Sequence, residues 1–324
     1  MELRLLYVLL LPVYPQGSIL GPLLFLVYIN DIMCNIHCNI KLFANDTSLM
    51  EEIINPATSF YKLNQDLDTL NEWSKQWIVT FNASKTELLI ISKKCGRQMY
   101  LPLYLNNTAI NEVTVHKHLR VIFNNKMSWR DHINDICKKC NKRLDIIQKM
   151  RCILPRSCIE KLYKSFIRSL LDYTDVIYDN CCKFDTDKLE HVQCRACIIA
   201  TGAIRLTKHK TLLQEVGIET LKSRRRHHRL VYLYKIKNKL TPSYLSNLHS
   251  MTNHNTLNYN FQRQNQIIPI RTRTTCFYNS FFPATKRNWN NLPLVVSSAI
   301  SVTCFKNALN KTDEANTSKK NFTH

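Results

Sequence analysis

The sequence predicts an α+β protein with its strands in roughly the first 125 residues and long helices after them. Three observations lead there. Short apolar runs bounded by turn residues, Ile40 to Ala44 and Leu88 to Ile91 among them, read as strands. From Ser128 onward apolar residues recur three and four positions apart, the spacing of helices with one buried face. From about Thr241 to Thr275 the composition turns to Asn, Ser, Thr, His and Gln, which suggests loops. The last dozen residues carry no apolar pattern and are expected to be disordered. The expected organisation is a mixed segment over 1–125, a helical segment over 126–240, and a loop-rich segment with a disordered end over 241–324.

The first element is a Pro/Gly-punctuated turn, Pro15-Gln16-Gly17-Ser18-Ile19-Leu20-Gly21-Pro22, opening a helix over Gly17 to Met33 that is almost entirely apolar through Leu23, Leu24, Phe25, Val27, Tyr28, Ile32 and Met33. The strand Ile40 to Ala44 then runs into Asn45-Asp46 and Thr47-Ser48-Leu49-Met50, a tight hairpin with Asn45 and Asp46 at its tip. A carboxylate there is a candidate ligand for Mg²⁺, which takes oxygen donors on rigid backbone and completes its shell with substrate phosphates. Phe60, Leu63, Leu67, Leu70, Trp73 and Trp77 form the buried stripe of a core-packing helix. Thr80 to Thr86 is a turn before the Leu88 strand, and Leu101 to Phe123 reads as short strands around an Asn106-Asn107 turn.

The helical segment follows. Ser128 caps a helix whose buried face is Trp129, Ile133, Ile136, Cys137, Cys140, Leu144 and Ile147. Pro155 opens another, with Ile159, Leu162, Tyr163, Phe166, Ile167, Leu170 and Leu171 inward. A third, Leu189 to Ala200, stops at Thr201-Gly202.

Charge points to an anionic partner. The 324 residues have a net charge of +21 and a pI near 9.5, and 45% hydrophobic content is enough for a sizeable core and more than one subdomain. Residues 117–172 alone hold 14 Lys+Arg against 5 Asp+Glu. Lys138, Lys142, Arg143, Lys149, Lys161, Lys164 and Arg168 lie outside the apolar stripes, where a duplex-gripping surface needs them. The run Ser223 to Arg229, with Arg224, Arg225, Arg226 and Arg229, is the sharpest basic cluster: a phosphate contact, a nuclear-import signal, or the exposed face of a packed helix. Thirteen cysteines, odd in number and irregularly spaced, favour reduced thiols and an intracellular setting, nucleus or cytoplasm. Leu5 to Val13 is apolar but has the flanks of neither a signal peptide nor a membrane span, and reads as the first strand or loop of a truncated chain. Cys137-x-x-Cys140 and Cys194-x-x-Cys197 have zinc-like spacing, but each lies inside a helical pattern, so buried thiols are the blander account.

The ordered motifs resemble the reverse transcriptases of non-LTR retrotransposons, of the jockey/CR1-like kind. In that family a PQGSxLGPLLF turn-helix precedes a strand ending FADDT, matched here from Pro15 to Phe25 and from Phe43 to Thr47. Further matches are Phe81-Asn82 with Lys85-Thr86, His116 to Val121, Tyr163 to Tyr173, Leu189 to Gly202, and the terminal Phe281-Phe282-Pro283, Trp289-Asn290 and Leu292-Pro293. The resemblance covers about Val13 to Leu309 and implies a partial palm, then a helical thumb and tail. It implies RNA-directed DNA polymerase (nucleotidyltransferase) descent, RNA and DNA template-primer as partners, Mg²⁺ as the metal, and neither a membrane nor a small-molecule cofactor. It puts Gln16, Gly17 and Lys85 near the incoming nucleotide, Asp46 at the metal, and Lys138, Lys142, Arg143, Lys149 and the Arg224–Arg229 cluster on nucleic acid. Three departures bear on activity. Asn45 replaces the first Asp of the family's Asp-Asp pair, Val13 stands where Gly is usual, and Arg120 replaces the glycine of the HKHLGV strand. The family's upstream palm strand, with its own Asp, is expected to be absent. Three functions follow: a polymerase by descent that has lost its chemistry, a non-catalytic nucleic-acid-binding protein made from it, and, if the cysteine pairs converge, a zinc-dependent binder.

Overall fold

The chain is mixed helix and strand, as expected from its apolar pattern. The computed structural model describes residues 3–9, 20–92, 100–204, 206–251 and 265–321. They form two compact units, 1–132 and 133–324.

The first unit is built on a five-stranded sheet in the order β2-β3-β1-β4-β7. Its strands are β1 (Leu3–Leu9), β2 (Asn39–Phe43), β3 (Asp46–Glu52), β4 (Glu87–Ile91) and, after the small hairpin β5 (Tyr104–Leu105) and β6 (Thr108–Ala109), β7 (Asn111–Val113). All neighbours are antiparallel except β4 and β7. The central strand is β1. It pairs with β3 from Leu3 opposite Glu52 to Leu9 opposite Asp46, and with β4 from Leu3 opposite Ile91 to Tyr7 opposite Glu87. A central strand therefore precedes the Pro15 motif, in a largely apolar segment that suits a strand with neighbours on both sides.

One face of the sheet is covered by α2 (Pro56–Gln76). Pro56 sits at its first turn and the Asn55 side chain accepts the Ala57 N–H at 3.0 Å, so its start is fixed locally. Its stripe of Phe60, Leu63, Leu67, Leu70 and Trp73 meets Leu49, Leu88 and Ile90 in the core. Trp77 departs from the stripe: it is 37% exposed, and its carbonyl accepts the Tyr28 hydroxyl. Asp66 on α2 is fully buried and accepts the backbone N–H groups of His37 and Cys38 at 2.9 and 2.8 Å, tying down the loop that leads into β2. The apolar helix is shorter than expected. α1 spans Leu20–Ile29 and the chain turns after it, with Ile32 buried and Met33 exposed; Leu23, Leu24, Leu26 and Val27 also face outward.

Two hairpins show what turn chemistry dictates. Asn106 and Asn107 both take positive φ between β5 and β6, as a two-residue loop with matching twist requires, and asparagine tolerates that region. The second hairpin joins β8 (Val115–His118) to β9 (Val121–Asn124), with His118 opposite Val121. Its loop residues, Leu119 and Arg120, have φ of 45° and 68°. The position where the resembled family has glycine is thus a left-handed one, and Arg120 occupies it under strain.

The second unit is helical. It begins within α3 (Arg130–Met150), which follows Ser128, whose hydroxyl accepts the Arg130 N–H at 3.4 Å. The helix buries Ile133, Ile136, Cys140, Leu144 and Ile147 as expected. A continuous helical stretch comes next as α4 (Arg156–Leu162), a π-helical turn (Tyr163–Arg168) and α5 (Ser169–Asp172). Phe166, expected inward, is 52% exposed on the π turn, whose extra residues per turn shift it off the buried face. After α6 (Asp175–Tyr178) come α7 (Lys183–Thr201), α8 (His209–Val216), α9 (Leu221–Lys237) and α10 (Ser243–Met251). Gly202 ends α7 with φ 77°, and a Cβ there would meet the Arg151 guanidinium at 2.2 Å.

Of the stretch 241–275 expected to be loops, residues 252–264 lie outside the described residues, α10 occupies its start and 265–274 hold no regular element; after it come α11 (Thr275–Tyr278), α12 (Phe281–Asn290), α13 (Leu294–Ser297) and α14 (Val302–Asn321). Trp289 and Phe305 stack at 5.5 Å, and Phe305 on Tyr234 of α9 at 4.6 Å, closing a core with Leu230, Leu233, Leu292 and Leu309. Polar composition hid this core because its few aromatic residues are large and widely spaced. α14 carries helix to Asn321, across the stretch expected to be disordered.

Left-handed backbone costs a non-glycine residue roughly 1–2 kcal/mol, while glycine gives back roughly 0.5–1 kcal/mol through the unfolded chain. Arg120→Gly is therefore expected to stabilise the protein by about 0.5–1 kcal/mol in urea unfolding. Arg120→Ala, which keeps the strain, should not.

Candidate active site and nucleic-acid interface

The hairpin carrying Asp46 forms as the alternation of β2 and β3 requires, with Phe43 opposite Asp46 and Leu42 opposite Thr47. Its loop is one residue earlier than expected. The tip is Ala44-Asn45, Ala44 with φ 50°, and Asp46 is the first residue of β3, half-buried. Thr47 and Ser48 beside it are buried, and neither hydroxyl has a hydrogen-bond partner. Asp46 therefore sits at the edge of a dry strand end rather than on a solvated loop.

Its neighbours are the parts that sequence reasoning missed. Glu87 begins β4, and its Oε2 lies 2.5 Å from Nδ1 of His116 on β8. Burial holds His116 below the usual histidine range, although the carboxylates of Glu87 and Asp46 pull the other way. Burial also lowers His118, with the charge of His116 adding to it and Asp46 opposing. The sheet thus brings Asp46, Glu87, His116 and His118 into one electrostatic neighbourhood. The signal was present in the alternation of His116 and His118, which puts both on one face of β8.

These residues do not fit a pair of Mg²⁺ ions. The two-metal arrangement holds its ions roughly 3.5–4 Å apart between carboxylates on adjacent strands. Two strands flank Asp46: β2 opposes it with Phe43 and β1 with Leu9, and neither Asn-Ile-Lys-Leu-Phe nor Leu-Arg-Leu-Leu-Tyr-Val-Leu contains an acid. The next carboxylate, Glu87, is two strands from β3, about 9.5 Å at ~4.8 Å per strand. Asn45 offers a neutral amide, and imidazole is not the donor Mg²⁺ selects. Among the described residues the one group with metal-like convergence is Asp172, Asp175 and His228, far along the chain in the second unit. There Asp172 takes the Arg224 Nε at 2.7 Å and Asp175 faces His228 Nδ1 at 2.5 Å, so protein side chains already meet both carboxylates.

Gln16, Gly17 and Val13 lie outside the described residues. Lys85 ends a 3₁₀ turn (Ala83–Lys85) capped by Asn82, and its side chain is exposed beside the start of β4.

The basic positions divide sharply. On α3, Lys138, Lys142 and Lys149 are exposed and share a stripe within roughly 40° of arc. Asp145 falls on the same stripe, but Arg195 holds it at 2.5 Å. Arg143 points elsewhere: its Nη1 donates to the Phe166 carbonyl at 2.6 Å. On α9 the arginines expected to touch phosphate turn largely inward. Arg225, 3% exposed, donates Nε to Asp179 Oδ1 at 2.7 Å, and Arg229 reaches Oδ2 of the same carboxylate at 2.8 Å. Arg224 binds Asp172. The acids at 172, 175 and 179, one turn apart, thus meet Arg224, His228 and the Arg225/Arg229 pair in register. Their three-and-four spacing was the missed signal.

The two cysteine pairs stay apart from metal chemistry. Burial raises Cys137 to about 11 and Cys140 and Cys197 to about 12, and raises Cys194 as well, so these thiols stay protonated at neutral pH. No helix among the described residues is long and apolar enough to cross a membrane.

No family model matches the chain. It is similar to three polymerases of Drosophila melanogaster mobile elements. It is 22% identical over 237 residues to the probable RNA-directed DNA polymerase from transposon BS, covering 69% of this chain and 26% of that one. It is 24% identical over 202 residues to the RNA-directed DNA polymerase from mobile element jockey, covering 58% and 22%. It is 21% identical over 222 residues to the probable RNA-directed DNA polymerase from transposon X-element, covering 64% and 24%. The chain therefore spans about a quarter of the length of the curated relatives it matches. The resemblance carried by the motifs and these similarities agree on retrotransposon RNA-directed DNA polymerases.

Removing one partner of a buried ion pair leaves an uncompensated charge, at roughly 3–5 kcal/mol. Asp179→Ala orphans two guanidinium groups and is expected to destabilise the chain by about that much in chemical unfolding. The same substitution at Asp145, exposed and paired once, should cost about 1 kcal/mol or less.

Proposed function

We propose that this chain is a non-catalytic nucleic-acid-binding protein with the palm and thumb form of a non-LTR retrotransposon reverse transcriptase. In this reading 1–125 is the partial palm, 126–240 the thumb with its adjoining helices, and 241–324 a tail packed on them. RNA and DNA in template-primer form are its partners. The chain holds them by their phosphates through the α3 lysines, with Lys85 and the Gln16-Gly17 turn on the nucleotide side.

The observation that carries the loss of catalysis is the pairing of Asp46 with Leu9. Two-metal phosphoryl transfer needs charge-bearing oxygens from both strands to hold the ions that offset developing phosphate charge. When bound, Mg²⁺ would supply that charge stabilisation. Here Asp46 alone offers an anion, next to an amide and a leucine.

With purified chain, a primed RNA template and Mg²⁺ or Mn²⁺, no primer extension is expected. Asn45→Asp should not restore it, because Leu9 still faces Asp46. Template-dependent incorporation above background by the unaltered chain overturns the reading in favour of an active polymerase.

Binding should be weak, indifferent to sequence and salt-dependent, because each neutralised phosphate releases condensed counterions, with a log–log slope of roughly −0.7 to −0.9 per contact. Replacing Lys138, Lys142 and Lys149 together with Ala should flatten the slope measured by mobility shift by about two units or more. A slope unchanged by the triple replacement would mark the stripe as a solvated face only.

A further inference from the structure

We propose that the second unit carries a separate phosphate-binding site, in the cavity between α7, α9 and α12. The ligand chemistry is a phosphate group, either of a small phosphorylated compound or of a nucleic-acid backbone. The inference is independent of the polymerase reading, since no palm residue takes part.

The cavity measures about 920 Å³. Six cationic side chains line it, Lys183, Lys222, Arg225, Arg226, Arg229 and Arg287, against the carboxylates of Asp179, Asp187 and Glu190. Its charge is thus about +3 before any histidine is counted. The imbalance is sharper than the tally, because Asp179 and one oxygen of Glu190 are engaged on the protein side, while Glu190 Oε2 is buried without a hydrogen-bond partner. Asp179 is shared between Arg225 and Arg229, and Glu190 accepts the Lys222 backbone N–H at 3.0 Å. Three donors at the wall are built for an outside anion. The Arg229 Nε is buried with no hydrogen-bond partner, a costly state that a ligand oxygen would relieve. The Arg287 guanidinium lies 3.4 Å from the centre of the Tyr278 ring and donates one Nη2 bond to the Tyr278 carbonyl at 2.8 Å, which fixes its plane and leaves its other donors to the cavity. Lys222 is exposed at the first turn of α9. Burial lowers Arg229 and the charges of Arg225, Arg226 and Arg287 add to that, the repulsion a bound anion would offset.

A planar guanidinium fork matches two phosphate oxygens, and Tyr278 spares Arg287 the ordering cost. Carboxylate ligands would gain less from this site, since it offers a cluster of forks to one multiply charged group. Apolar ligands are excluded by the lining.

The test uses the full chain with inorganic pyrophosphate, by calorimetric titration, and with a fluorescein-labelled RNA oligonucleotide of mixed sequence, by anisotropy. The variant is Lys183→Ala/Lys222→Ala/Arg287→Ala, three residues that take part in none of the ion pairs above. It is expected to weaken at least one of the two probes by about tenfold or more, the scale of one lost charge-assisted contact. Loss with pyrophosphate identifies a small phosphorylated ligand; loss with RNA alone identifies the nucleic-acid backbone. The α3 lysine triple variant should leave pyrophosphate binding unchanged, so failure of the thumb reading is separable. A wild-type melting temperature raised by pyrophosphate, relative to sodium chloride of equal ionic strength, is the expected result that needs no variant. If wild type binds neither probe, or the cavity variant binds both within twofold of wild type, the proposal is overturned.

Discussion

The first unit depends on the ladder that β1 makes on both of its edges. Seven consecutive residues pair with β3 and five of the same seven pair with β4, so the backbone ladders of the acidic hairpin and of the strand of Glu87 are joined through it. Strand period leaves no room for partial slippage, since a shift of one residue sends every side chain to the other face. The register that puts Leu9 against Asp46 is therefore held by the whole ladder rather than by that pair. It also separates the two carboxylates of the sheet end by a full strand. The strand that completes the sheet supplies no acid of its own.

In the second unit the comparable constraint is electrostatic. A chain at +21 would be expected to display its arginines, yet Arg224, Arg225 and Arg229 are spent on Asp172 and Asp179. Burying charge is costly unless it is paired, and one carboxylate serving two guanidinium groups leaves a positive remainder. That remainder cannot move, because Leu230, Val231, Leu233 and Tyr234 fix α9 in the aromatic core of α12 and α14. The surplus charge of this unit is consequently structural in origin and concave in placement. The lysines of α3 are the opposite case: long, exposed and confined to one stripe.

How much could be read beforehand follows from where the physics is local. The stripes of α2 and α3, the Asn106-Asn107 loop and the glycine stop of α7 depend on a few neighbouring residues, and the sequence shows them directly. β1 is different. An apolar run of seven is equally a strand, a loop or the core of a leader, and only partners some 40 and 80 residues away decide. The Arg224–Arg229 run reads as surface because charge has no periodicity that reveals its partner. The acids at 172, 175 and 179 were in plain view, but nothing local announces that a short, kinked helical stretch will present them to α9. The tail was misread because Trp289, Phe305 and Tyr234 form its core from positions scattered among polar residues.

In the non-catalytic reading proposed above, a fold can persist without site carboxylates for a physical reason. The residues that hold this fold are Leu49, Phe60, Leu67, Leu88 and Ile90, all apolar and buried. Acidic side chains gathered at a strand end contribute nothing to that core and repel one another, a strain that function demands and folding does not. In that reading Asn45 relieves some of it. A neutral amide at the hairpin tip keeps the loop, because asparagine is as suited to tight turns as aspartate. A leucine opposite Asp46 suits a strand flanked on both sides. Arg120 is the counterexample: there glycine served the backbone itself, and its loss leaves a left-handed residue under strain. In that reading, substitution of site carboxylates costs the fold little and substitution of a turn glycine costs it more, so an architecture can outlast the chemistry it positions.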